Sequence, residues 1–243
     1  MFVPTRLPSM RKPPLTFAHR GASAHAPENT LEAFTLGLRL GAAGLESDAW
    51  ITADQVAILD HDGLSGGRLR RQPVRSVNRS QLRESIPSIS ELYETCGTEF
   101  DFSIDIKDPD AIDAVVHAAV VAGGSAFDKL WICHPDIEVL SGWRSRWPTL
   151  HLVHSTWLSK MHGGAERHGA ELASRDIDAV NLHHSEWTGG YVALFHRFER
   201  LTFAWDVQFE RIMDELFDSG IDGVYSDHTD RLIACLSRLD PQA

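Results

Sequence analysis

Short apolar runs recur along the chain, and most are followed by a stretch whose apolar residues fall at helical spacing. That alternation is the mark of repeated βα units around a parallel sheet. The strand candidates are Leu15–Gly21, Gly44–Thr52, Asp101–Lys107, Leu130–His134, Leu150–Ser155, Ala179–His183, Leu201–Asp206 and Gly223–Asp227. Eight such units predict a TIM (β/α)8 barrel, an α/β fold in one domain. An open doubly wound sheet shares the same alternation, because periodicity reports the order of elements and not closure.

Two local features refine this layout. Asn29 follows Pro27 and Glu28, and with Glu32 three residues on it reads as the N-cap of the first helix in a capping box. Val56–Asp62 is a further extended run, separated from Gly44–Thr52 by the turn-like Ala53-Asp54-Gln55, so a β-hairpin extension follows the second strand. Antiparallel pairing then brings the neighbourhood of His61 back beside Glu46. Gly63–Asn78, with Gly66, Gly67 and the arginines 68, 70, 71 and 75, reads as a loop forming a rim or lid.

Composition narrows the function. The 243 residues are 43% hydrophobic, enough for one sizeable core. Residues 1–14, rich in proline and basic side chains, read as an irregular arm ahead of a barrel domain over 15–243. A formal net charge of −11 argues against nucleic acid as a partner, since a phosphate-tracking groove needs excess Lys and Arg. Cys96, Cys133 and Cys235 are odd in number and widely spaced, which points to a reducing cytoplasm rather than a disulfide framework or thiolate zinc site. No apolar run approaches the roughly 18 residues of a bilayer span, so no stable membrane insertion is expected. Nothing in the sequence fixes an oligomeric state.

Barrel enzymes gather their chemistry at the carboxyl ends of strands, and here those ends are polar. Leu15, Phe17 and His19 alternate along the first strand, with Arg20 next. Glu46 and Asp48 lie two apart, so both carboxylates point to one side, and Asp105 and Lys107 repeat that spacing on another strand. Three oxygen ligands suit a hard cation, Mg²⁺ or Ca²⁺, while nearby His19 and His61 leave zinc or Mn²⁺ open. A salt-bridge network in which Arg20 and Lys107 neutralise the three acids is the structural alternative. His134, His154, Asn181, His183 and Trp205 also lie near strand ends and are candidates for lining a substrate pocket. Of these, Trp205 is best placed to cover a glycerol or a choline-like cation.

The ordered series His19-Arg20-Gly21, Ala26-Pro27-Glu28-Asn29-Thr30, Glu46-x-Asp48, Thr52-x-Asp54 and His61-Asp62 resembles the glycerophosphodiester phosphodiesterase family. The likeness continues through Ile86–Ile89 and Ile104–Lys107, and returns at Asp222-Gly223-Val224 and Ser226-Asp227. The resemblance implies a barrel hydrolase of small phosphodiesters in which Glu46, Asp48 and Asp105 hold one divalent cation, Arg20 and Lys107 contact phosphate, and His19 and His61 act as general acid and base. The family usually carries Glu where this chain has Asp105. The related phospholipase D toxins, sphingomyelinase D among them, carry Asp there. A lysophospholipase D-like or sphingomyelinase D-like phosphodiesterase is therefore an alternative, and a barrel that binds phosphorylated ligands without turnover is another.

Overall fold

The computed structural model describes residues 6–66 and 71–239. Its strands in chain order are β1 (Leu15–His19), β2 (Gly44–Ile51), β3 (Ala57–Leu59), β4 (Leu64–Ser65), β5 (Gln72–Pro73), β6 (Asp101–Ile106), β7 (Leu130–His134), β8 (His151–Ser155), β9 (Ala179–His183), β10 (Leu201–Trp205) and β11 (Gly223–Ser226). The helices are α1 (Leu31–Arg39), α2 (Ile89–Cys96), α3 (Ile112–Ala122), α4 (Ile137–Arg146), α5 (Gly164–Ser174), α6 (Gly189–His196), α7 (Glu210–Asp218) and α8 (Thr229–Ser237). Strands β1, β2 and β6 to β11 pair in parallel, and β1 bonds both β2 and β11, which closes the circle. The barrel reading is correct, and the open-sheet alternative fails because an open sheet leaves two unpaired edges.

Side-chain alternation builds two cores from one set of strands. Phe17, Trp131, Phe203 and Tyr225 pack inside the barrel, with the Phe17 and Tyr225 rings stacked at 4.7 Å. Their neighbours Ala18, Ile132, Ala204 and Val224 face outward and pack with helical residues such as Phe34, Leu140, Phe195 and Leu232. Fully burying one such large side chain contributes about 1.5–3 kcal/mol. No helix is long and apolar enough to cross a membrane among the described residues.

The hairpin pairs Ala49 with Leu59, Trp50 with Ile58 and Ile51 with Ala57. One step further, the Asp60 amide donates to the Asp48 carbonyl at 3.1 Å, so the returning chain arrives beside the carboxylate strand. The segment after it departs from the expected loop or lid. Strands β4 and β5 form a small antiparallel ribbon, and Val74 and Val77 are buried with Ile58, Leu82 and Ile86. The Val74 amide bonds Gly63 O at 2.9 Å, and Gly63 lies so close to the Trp50 ring that a Cβ would meet it at 2.4 Å. Two valines in an arginine-rich stretch therefore anchor this rim. Residues 67–70 of the segment lie outside the described residues.

The first helix also starts one residue later than expected. Thr30 is the N-cap, its side chain accepting from the Ala33 amide. Asn29 is instead buried at φ 55°, where its Oδ1 accepts from Ser47 Oγ at 2.6 Å. Asn tolerates that left-handed conformation, and its side chain ties the β1–α1 loop to β2.

Residues 6–14 carry no helix or strand and lie across the amino-terminal end of the barrel. Asp222, fully buried, holds them there. Its Oδ1 accepts from Ser9 Oγ at 2.7 Å and from the amides of Met10 and Arg11, while Oδ2 accepts from Thr202 and from His196 Nε2 at 2.7 Å. Burial pushes the Asp222 carboxyl up, but hydrogen bonding and the charge of His196, with Ser9 and the Thr202 amide, outweigh it and hold the pKa below its usual value. Asp222→Ala leaves several buried donors unpaired, at about 1–3 kcal/mol each, and is expected to lower Tm sharply at neutral pH. Because the folded pKa is depressed, that stabilisation is present above the unfolded pKa near ~3.9 and is lost as pH falls through the folded value. Melting curves should therefore show the gap between wild type and variant narrowing below about pH 4.

Candidate active site

The carboxyl ends of the strands open into a cavity of about 580 Å³. His19, Arg20, Glu46, Asp48, His61, Asp105 and Lys107 all line it. Each reaches it by alternation along a strand or by the hairpin's return. His19 continues the inward series Leu15 and Phe17, Glu46 and Asp48 the inward series of β2, and Asp105 that of β6. Asp48 and Asp105 stand opposite one another in the ladder. Beyond β1 the chain must turn at once: Arg20 has φ 53°, and a Cβ on Gly21 would lie 2.5 Å from the Ala33 carbonyl carbon. Only glycine permits that approach.

The contacts are dense and mostly between opposite charges. The Arg20 amide donates to Glu46 Oε2 at 3.0 Å, and its guanidinium bonds Glu28 at 2.9 Å and lies 3.7 Å from Asp48 Oδ2. Lys107 Nζ sits 2.9 Å from Asp48 Oδ1 and 2.7 Å from Asp105 Oδ2. Burial pulls the Lys107 ammonium down, but Asp105 and Asp48 more than offset it, so the lysine stays charged. Glu46 fares differently. Burial, together with the charges of Asp48 and Asp105, pushes its carboxyl up to about 7 against the opposing effect of His19. Asp48 Oδ2 is buried without a hydrogen-bond partner.

His19 is held from both sides. Its Nδ1 bonds Asp227 Oδ1 at 2.6 Å and its Nε2 lies 3.6 Å from Glu46 Oε2. Burial disfavours the imidazolium, yet Glu46 and Asp227 together raise its pKa. Asp227 is in turn fixed by Ser23 Oγ at 2.9 Å and Gln208 Nε2 at 3.0 Å. His61 is more exposed and bonds Asp62 through Nδ1 at 2.9 Å.

The second group of candidates divides. Trp205 and Asn181 line the cavity, joined by Trp157, whose ring meets Trp205 edge-on at 5.1 Å. His183 does not line it but stacks behind Trp157 at 5.4 Å, with Nε2 3.3 Å from Asp206. His154 is misassigned. Its neighbours Val153 and Ser155 face inward, so His154 faces the helices, buried between His168 Nε2 and Pro135 O at 3.0 Å each. Burial and His168 bring its pKa down to about 4, as befits a neutral packing residue. His134 likewise points away and bonds the Asp136 amide. Asp227, present in the sequence only as part of the family likeness, joins the site through its contact with His19. The inward series Gly223, Tyr225, Asp227 carries the signal that would have found it.

The sequence profile of the glycerophosphoryl diester phosphodiesterase family matches residues 19–231, a span that holds every side chain of the cavity. The chain belongs to this family. A probable glycerophosphodiester phosphodiesterase 2 of Mycobacterium tuberculosis is 29% identical over 90% of this chain and 89% of its own length. Among solved structures, a putative glycerophosphoryl diester phosphodiesterase from Silicibacter pomeroyi superposes with a TM-score of 0.83 at 19% identity, covering 97% of this chain and 96% of that one. A phosphodiesterase of Oleispira antarctica, solved with the product sn-glycerol-3-phosphate, gives a TM-score of 0.80 at 19% identity over 92% and 97% of the two chains. As a member of the glycerophosphodiester phosphodiesterases, the chain is a phosphoric diester hydrolase.

Proposed function

We propose that this family member hydrolyses glycerophosphodiesters to glycerol 3-phosphate and an alcohol, at a divalent cation held by Glu46, Asp48 and Asp105, with His19 and His61 moving the protons. The observation that carries the reading is the convergence of three carboxylates, two cationic side chains and two histidines on one cavity. The fit to a cation rests on charge that the protein leaves unmet. Asp48 Oδ2 accepts no hydrogen bond and has only the Arg20 guanidinium at 3.7 Å, and Glu46 is driven up by burial and by its fellow carboxylates although Lys107 already bridges two of them. An all-oxygen donor set suits Mg²⁺ or Ca²⁺, with Mn²⁺ also tolerated.

When bound, the cation supplies Lewis-acid polarisation of the phosphoryl oxygens. The remaining work falls to the chain's own residues. Arg20 and Lys107 bind the phosphate and offset charge developing on its oxygens. Asp227 accepts from His19 Nδ1, which leaves Nε2 as the proton-transferring atom. His61, brought in by the hairpin, serves as its counterpart: one ring deprotonates the attacking group and the other protonates the departing alkoxide, whether water attacks directly or the neighbouring glycerol hydroxyl attacks first and water then opens the cyclic phosphate to glycerol 3-phosphate. Trp205 and Trp157 present an aromatic corner to the leaving alcohol.

The test is a panel of glycerophosphodiesters and lysophospholipids with products resolved by mass. Glycerol 3-phosphate from the soluble esters supports the reading; turnover confined to lysophospholipids would shift it to a lysophospholipase D-like activity, and no turnover on any member to a binding barrel. If the aromatic corner holds a choline group, Trp205→Ala should raise KM for glycerophosphocholine about fivefold, the equivalent of ~1 kcal/mol of cation–π attraction, with KM for an uncharged glycerol ester unchanged.

A further inference from the structure

Outside the catalytic cavity, His25, His228 and Asp230 present three ligand atoms within 4.8 Å of one another. His25 lies in the β1–α1 loop, while His228 and Asp230 lie where β11 passes into α8. His25 Nε2 bonds Asp230 Oδ1 at 2.8 Å, and the two imidazole rings meet edge-on at 6.1 Å. His228 Nδ1 is buried with no hydrogen-bond partner. In the tautomer protonated at Nε2 that nitrogen carries a lone pair that no donor in the protein takes up, so it is available to a cation.

We propose that His25, His228 and Asp230 form a second metal site, selective for a borderline ion of the Zn²⁺ type. Two nitrogens and one carboxylate match the ligand preferences of zinc, copper or nickel, and contrast with the all-oxygen set of Glu46, Asp48 and Asp105. A tetrahedral zinc places its ligand atoms about 3.3 Å apart, given bonds of ~2.0–2.1 Å. Reaching that spacing takes small shifts, and the exposed side chains of His25 and Asp230 are free to make them.

The position gives the site a consequence. His228 follows Asp227 directly, and the β1–α1 loop already meets that segment through Ser23 Oγ on Asp227 and the Ala24 amide on the Asp227 carbonyl. An ion shared by His25, His228 and Asp230 clamps these two segments together, next to the Asp227 carboxylate that positions His19. Binding is therefore expected to stabilise the folded protein by mass action, since the site does not exist in the unfolded chain.

The test uses the whole chain with excess Mg²⁺ present to occupy oxygen-rich sites, and Co²⁺ as a spectroscopic probe for zinc. The expected result is one equivalent of Co²⁺ bound, with visible bands of nitrogen-containing low coordination and a rise in Tm. His25→Gln and His228→Gln should each weaken Co²⁺ binding at least ~10-fold and abolish the Tm rise, since even losing a residue that merely supports a ligand costs 10–100-fold in affinity. His183→Gln serves as the control, because His183, His184 and Asp206 form the other nitrogen-containing group of this kind among the described residues. It should bind as wild type does. Equal Co²⁺ binding by wild type, His25→Gln and His228→Gln, loss in His183→Gln alone, or no Co²⁺ bound by wild type, would overturn the proposal. Glu46→Gln should retain the Co²⁺ bands while losing hydrolysis, which separates this site from the catalytic one.

Discussion

His19→Ala is expected to lower kcat by about 10²–10⁴-fold while leaving affinity for a phosphate ligand largely intact. The ring touches no anion-binding group except through Glu46, so its removal costs proton transfer and not binding. His61→Ala should behave alike, and the double variant should lose little more than the worse single one if both act in one proton-transfer sequence. Asp227→Asn is a finer probe. It keeps the contact to His19 Nδ1 but presents an amide where a carboxylate accepted, so the ring is no longer held in the tautomer that exposes a basic Nε2. Turnover should fall with KM nearly constant. Single-turnover kinetics on glycerophosphoethanolamine, beside equilibrium binding of glycerol 3-phosphate, separate these outcomes. Undiminished turnover in both histidine variants would remove them from the chemistry.

Glu46→Gln should produce the second large effect, and in opposite directions for activity and stability. Activity is expected to vanish, because a proposed cation ligand is lost. Stability of the metal-free protein is expected to hold or rise at pH 8. The sign follows from the raised carboxyl: with the folded pKa near 7 and the unfolded value near 4.5, metal-free wild type loses stability as pH climbs between them and stays at the lower level above. The glutamine carries no charge and escapes that loss. Below about pH 4.5 the two proteins should converge in Tm. A salt-bridge network serving the barrel mouth predicts the reverse, since removing one partner of a compensated buried cluster is destabilising. Melting temperatures of both proteins in chelator from pH 4 to 8 distinguish the two accounts.

Much of this was legible in the sequence because barrels obey a period of two. Glu46 and Asp48, or Asp105 and Lys107, share a side whatever the neighbouring strands do. The hairpin register could be foreseen for the same reason, since antiparallel pairing is fixed by the turn. Where the reading failed, a more distant partner decided. Asn29 is a good N-cap by type, but Ser47 on β2 takes its side chain and Thr30 caps instead. The rim looked like a loop because its arginines dominate the composition, while Val74 and Val77 find Ile58 and Ile86 only once the hairpin has folded. His154 is a different case: alternation with Val153 and Ser155 was available and places it outside. Asp227 follows the same rule inward, yet its meaning depends on His19, more than 200 residues earlier, and that contact exists only when β11 closes against β1.

The most direct test of the central claim is hydrolysis of glycerophosphocholine by protein stripped with chelator, then resupplied in turn with Mg²⁺, Ca²⁺ and Mn²⁺. The account predicts no glycerol 3-phosphate from the stripped protein, its return with at least one of these ions, and no return in Asp48→Asn. Full turnover by the stripped protein, or ion-restored turnover in Asp48→Asn equal to that of wild type, would contradict it.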